Sequence, residues 1–111
     1  MTPEGRILNA ILQYLAARHI LAFRNNVLAM PTADGKRFIK AGTPGMADIV
    51  AFTQCGYHRS RDISQWVWWL EVKTATGKQS ELQKSFQQQV ESHGHRYAVV
   101  RSVEDVEELL R

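Results

Sequence analysis

The chain has 111 residues, enough for one compact domain with a real core and too few for two substantial ones. Hydrophobic residues at 44% and charged residues at 23% exclude a disordered composition, and no apolar run approaches the ~18 residues of a membrane span. A net charge of +3 with a pI near 9.3 suits a phosphate-rich partner but is too mild to establish one.

Thr2 and Pro3 suit an N-cap and first helical position, and Ile7, Leu8, Ile11, Leu12 and Leu15 recur on one face. An amphipathic helix is predicted over residues 3 to 18. Ile20 to Phe23 reads as a strand, and Val27 to Met30 and Arg37 to Ile39 flank Asp34-Gly35, a dipeptide that favours a hairpin. Two glycines and a proline make Ala41 to Gly45 a loop leading into a strand from Asp48 to Phe52, with Asp48 at its mouth. Residues 54 to 64 are polar and read as an exposed loop before the strand Trp66 to Val72. Ser80-Glu81-Leu82-Gln83 has capping-box spacing, and Leu82, Phe86 and Val90 line a helix that Gly94 ends. Tyr97 to Val100 is a strand, and Ser102 opens a last helix carrying Val106, Leu109 and Leu110. The order α-β-β-β-β-β-α-β-α predicts a single α/β domain, residues 1 to 111, with a mixed sheet flanked by helices.

Side chains two apart on a strand share a face, so Glu71 and Lys73 project together while Trp68, Leu70 and Val72 turn into a core. If the strand led by Asp48 pairs with this one, two acids and a lysine converge within a few ångströms at the ~4.8 Å strand spacing. Paired carboxylates repel unless a cation lies between them, and an all-oxygen site with room for water suits Mg²⁺, with Mn²⁺ able to substitute. Asp48 and Glu71 are the expected ligands, with the backbone carbonyl of Val72 as a third. Lys73 would orient or activate water and offset charge on a phosphate. The spacing alone reads first as a solvated ion pair on a surface strand.

Beyond that spacing, Gly42-Thr43-Pro44-Gly45-Met46-Ala47-Asp48-Ile49-Val50, Leu70-Glu71-Val72-Lys73, then Gly77, Ser80 and Gln83, resemble the VRR-NUC family of PD-(D/E)xK nucleases. The likeness continues through Gly94 to Glu104 and so spans nearly the whole chain; Ala47 stands where the family's signature has proline. The resemblance implies a stand-alone nuclease domain with a restriction-endonuclease-like core and catalytic roles for Asp48, Glu71, Lys73, Gln83 and Glu4. It also implies action on DNA, branched or Holliday-junction DNA being the expected substrate; a cytoplasmic setting, in a bacterium or phage-infected cell, is the default expectation for a sequence with no apolar span and no signal-peptide pattern at Met1 to Glu4. Glu4 reads as well as a helix-start charge meeting the dipole, and Gln83 as the third residue of the capping box.

DNA contacts are expected from Arg24, Asn25 and Asn26, from Lys36, Arg37 and Lys40 of the hairpin, from Arg59 and Arg61, and from Lys78. The Arg24 to Asn26 stretch also fits a plain turn. Cys55, the lone cysteine, is expected to fill core, the four histidines to be solvated or cap-forming, and Trp66 and Trp68 to pack inside, with Trp69 open. A homodimer through the hairpin, using Val27, Met30 and Phe38, would supply two active sites for paired strands. The competing readings are a noncatalytic DNA-binding or assembly module on the same fold and a restriction-type or exonucleolytic enzyme.

Overall fold

The Thr2 hydroxyl accepts the Gly5 amide at 3.0 Å and Pro3 enters the first turn, so α1 runs Pro3–Ala17. Leu8, Ile11 and Leu15 are buried along it, with Ile7 and Leu12 half-buried beside them. The structure is a computed structural model and describes residues 1–25, 28–41, 43–53 and 66–110, those at 28–31, 38–41 and 66 by backbone alone. After α1 come β1 (Leu21–Arg24), β2 (Leu28–Pro31), β3 (Phe38–Ala41), β4 (Ile49–Thr53), β5 (Trp66–Val72), α2 (Glu81–Ser92), β6 (Arg96–Val100) and α3 (Val103–Leu109).

Four strands form a mixed sheet in the order β1-β4-β5-β6, antiparallel except for the parallel β5–β6 pair that the α2 crossover joins. Strand alternation then sorts the side chains. Ile49, Ala51, Trp68, Leu70, Val72 and Val100 pack with α1 and with Val106 of α3 to make the main core. On the opposite face, Trp69, Tyr97 and Val99 pack with Phe86 and Val90 of α2. Trp69 and Phe86 meet edge to face at 5.2 Å, so Trp69 is a packing residue; the Trp66 side chain lies outside the described residues. Leu21, Phe23 and Phe52 of β1 and β4 stay exposed. No helix among the described residues is long and apolar enough to cross a membrane.

Two boundaries differ from the sequence reading. The hairpin β2–β3 forms around Asp34-Gly35 as expected, but it closes with Pro31 opposite Phe38, one residue later than read from the sequence, with Thr32 to Arg37 as its connection. The Asp34 carboxylate accepts the Thr32 hydroxyl and the Lys36 amide, and these side-chain bonds hold the connection. The ladder of β4 begins at Ile49 instead of Asp48, because Asp48 meets β5 through its side chain, as described next.

Candidate active site

Register brings the acids together. Ile49 lies opposite Leu70 across β4–β5, so one step outward Asp48 stands opposite Glu71; likewise Arg24 pairs with Ile49, which sets Asn25 opposite Asp48. Along this row the β1 side keeps a backbone bond, while on the β5 side the Asp48 side chain takes the place of a ladder carbonyl. Asn25 donates its backbone N–H to the Asp48 carbonyl at 2.7 Å and its Nδ2 to the Ala47 carbonyl at 3.2 Å. The Val72 N–H donates at 2.8 Å to Asp48 Oδ2, which fixes the carboxylate over the end of β5. Within a strand the N–H and C=O of one residue point to the same neighbour, so the Val72 carbonyl opens beside that carboxylate.

Glu71 is 1% exposed, which is unusual for a carboxylate. Its Oε2 accepts Gln83 Nε2 at 3.2 Å and lies 3.9 Å from Lys73 Nζ, whereas its buried Oε1 has no hydrogen-bond donor. Burial pushes the Glu71 carboxyl up to about 9; hydrogen bonding to Asp48 and repulsion by its charge add to the rise, as does Glu4, while Lys73 opposes it. Glu4, in the first turn of α1, is therefore close enough for its charge to be felt at Glu71. Burial also raises the Tyr97 hydroxyl to about 12, so it stays protonated and accepts Gln79 Nε2 at 3.1 Å.

Gln83 is the third residue of the capping box, and its side chain also reaches Glu71. Its Oε1 accepts the Ser80 amide at 2.8 Å, completing the capping box, and that bond orients the amide so that its N–H₂ group meets Glu71. Gly45 joins the same region from the other side. Its φ is +84°, and a Cβ there would sit 2.5 Å from the Leu82 carbonyl oxygen, so the loop before Asp48 lies directly on the first turn of α2.

The residues present fit a hard divalent cation. The unpartnered Glu71 Oε1, the Asp48 carboxylate opposite it and the Val72 carbonyl offer oxygen donors alone, as Mg²⁺ prefers, with the remaining positions left to water. Among the described residues no three His, Cys, Asp or Glu side chains gather into a metal cage, which sets this site apart from structural zinc centres. His93, at the end of α2, bonds the Gln89 carbonyl through Nδ1 at 2.8 Å and so forms a cap.

The candidate DNA contacts divide. Arg24 is exposed at the end of β1, next to Asn25, whose side-chain amide is bound to the Ala47 carbonyl. Lys36, Arg37 and Lys78 are exposed, the first two on the hairpin connection and Lys78 between β5 and α2. Asn26, Val27, Cys55, His58, Arg59 and Arg61 lie outside the described residues, as do the side chains of Met30, Phe38 and Lys40.

Arg101 was not among the sequence candidates. It follows β6 as Lys73 follows β5, and its guanidinium donates from Nη1 to the carbonyls of Thr74 at 2.5 Å, Gly77 at 2.8 Å and Ala75 at 3.4 Å. The parallel register that makes it a neighbour of Lys73 is set by the crossover and has no local signature.

No protein-family model matches the chain, and no curated protein does. A solved structure described as a "VRR_NUC domain" aligns with a TM-score of 0.64 over 98% of this chain and 95% of that one, at 20% identity. The likeness runs nearly from end to end. The chain therefore has the fold of a VRR-NUC domain.

Proposed function

We propose that this chain is a divalent-cation-dependent endonuclease that hydrolyses DNA phosphodiesters. The observation that carries the reading is a buried acid, Glu71, with an unpartnered oxygen, standing opposite Asp48 and beside Lys73. Such a pair is costly to bury without a cation, and a protein that only bound DNA would gain nothing from it. The solved VRR_NUC domain supports the same reading through its shared fold.

Asp48, Glu71 and the Val72 carbonyl would hold Mg²⁺ or Mn²⁺, which when bound polarises a phosphoryl oxygen and acidifies water. The protein's part is positional and electrostatic. The Val72 N–H holds one Asp48 oxygen, and the Gln83 amide holds one Glu71 oxygen, so the other oxygens would be left to hold the cation. The Lys73 ammonium, mostly buried, offers a fixed positive charge for the attacking water and the pentacoordinate phosphate. Glu4 adds negative charge on the α1 side of the site. Arg24, Lys36, Arg37 and Lys78 are the exposed cations proposed to meet the backbone.

Branched DNA, including four-way junctions, is the proposed substrate, and a homodimer the proposed working unit, since one domain carries one site and two strands need two. Cleavage of labelled duplex, flap, single-stranded and four-way-junction DNA with Mg²⁺, Mn²⁺ or EDTA tests the chemistry, with light scattering on the same samples. Asp48→Ala, Glu71→Ala and Lys73→Ala should each abolish cutting while leaving most DNA affinity, because affinity rests on other phosphate contacts. Wild-type cutting by Glu71→Ala would exclude this site. A monomer that nicks plain duplex and ignores junctions would remove the substrate and dimer proposals only.

A further inference from the structure

We propose that Arg101 is a positioning residue for Lys73, acting through the turn that follows β5; the inference rests on the nuclease reading for its consequence but not for its geometry. The turn is built by the Gly77 N–H donating to the Thr74 carbonyl at 3.1 Å. It folds back over the lysine: a Cβ placed on Gly77 would lie 3.4 Å from both Cβ and Cδ of Lys73, so the glycine backbone packs against the aliphatic stem. Lys73 is anchored at its other end by its own N–H, which donates to the Val100 carbonyl at 3.0 Å. Between these two restraints the ammonium reaches Glu71 Oε2.

A short turn crossing a side chain holds it only if the turn itself is held. Arg101 supplies that restraint with one nitrogen directed at the carbonyls of Thr74, Ala75 and Gly77, and its own backbone N–H is fixed by Asp105 Oδ2 at 2.8 Å. These are charge-assisted bonds from a guanidinium. The guanidinium also shares the sheet face of Lys73, one strand away in register, yet its charge is directed into the carbonyls. The chain of restraint therefore runs from α3, through Asp105 and Arg101, to the turn, to the lysine stem and to the acid pair. Nothing in this sequence of contacts requires Arg101 to touch the nucleic acid.

The test combines an activity-independent readout with kinetics on the intact chain. Protein labelled with [13C-ε]lysine is compared by NMR as wild type, Arg101→Ala and Arg101→Lys, without added metal, and the Lys73 signal is assigned by its loss in Lys73→Gln. In Arg101→Ala the Lys73 signal should shift while that of exposed Lys84 stays in place. Single-turnover cleavage at saturating enzyme should slow about 10–100-fold, the scale expected for a misplaced group, with DNA Kd changed less than about threefold. Arg101→Lys keeps the charge and should recover part of the rate and of the signal position, and it carries the test if Arg101→Ala does not fold. In a Lys73→Gln background, Arg101→Ala should slow cleavage no further. An unmoved Lys73 signal overturns the proposal, as does a loss confined to Kd, which would make Arg101 a phosphate contact, or full additivity with Lys73→Gln. A wild type that cuts nothing while the Lys73 signal still moves leaves the positioning role standing and removes the nuclease reading instead.

Discussion

Glu71 is an acid held where water scarcely reaches, and its protonation is linked to the stability of the whole chain. Its carboxyl lies at about 9 in the folded protein against 4.5 for the free group. A raised folded value means that the stabilising contribution is complete below pH 4.5 and is lost as pH climbs toward 9, because folding then requires a proton that the unfolded chain has released. Without divalent cation, denaturant midpoints should therefore fall across that window, by at most about 1.4 kcal/mol per pH unit for one proton. Glu71→Gln should flatten the slope, and added Mg²⁺ should stabilise the wild type more at pH 8 than at pH 6. A flat wild-type profile in EDTA would show that Glu71 is ionised at neutral pH. Gln83 offers a second test, since one amide serves two partners. Gln83→Glu keeps an acceptor for the Ser80 amide but turns a carboxylate toward Glu71, so cleavage should suffer while helix stability holds. Gln83→Ala should lose both, with about 1 kcal/mol of stability from the missing cap bond. Equal stability losses in the two variants would contradict the division of roles.

The loop before β4 meets the start of α2 at a narrow joint, where Gly45 lies on the Leu82 backbone. Gly45→Ala should destabilise the fold by about 2 kcal/mol or more, since a left-handed φ is unfavourable for alanine and the added carbon meets the Leu82 backbone. Thermal unfolding should drop by roughly 8 °C or more. Cleavage should fall further than stability explains, because Asp48 and Gln83 lie on the two sides of the joint; a variant with wild-type melting and activity would show that the loop yields freely. The helices were legible because caps and periodicity are local: Thr2, Ser80 and Gly94 mark termini that the structure keeps. Glu71 and Lys73 were legible because the two-residue period puts them on one face. The hairpin was legible as well, its strand ends displaced by one residue, because the Thr32 and Asp34 side chains that accept the Arg37 and Lys36 amides set the ends of the connection and the Asp34-Gly35 dipeptide does not announce them. The Arg101 clamp escaped because its partners sit in a different strand connection, more than twenty residues away.

At the scale of the molecule, the residues of the site collect at one end of the sheet. Asp48 precedes an antiparallel strand, while Asn25, Lys73 and Arg101 follow the strands that run the other way, so alternating chain direction converts distant positions into one cluster. The same arrangement leaves the Val72 amide with a partner unlike those of the β5 ladder: its proton is held by the Asp48 carboxylate rather than by a backbone carbonyl. In hydrogen exchange, amides within β5 should open only with the global fold, since buried central strands are the slowest to open. Val72 should report something else, namely the occupancy of one carboxylate. Asp48→Ala should speed its exchange while leaving Leu70 protected, and titration with Mg²⁺ should move its amide resonance before any other in the strand. An amide at Val72 that exchanges with its neighbours and ignores Mg²⁺ would mean that the carboxylate does not hold it in solution. A single backbone proton would thus gauge the proposed cation binding with neither substrate nor turnover.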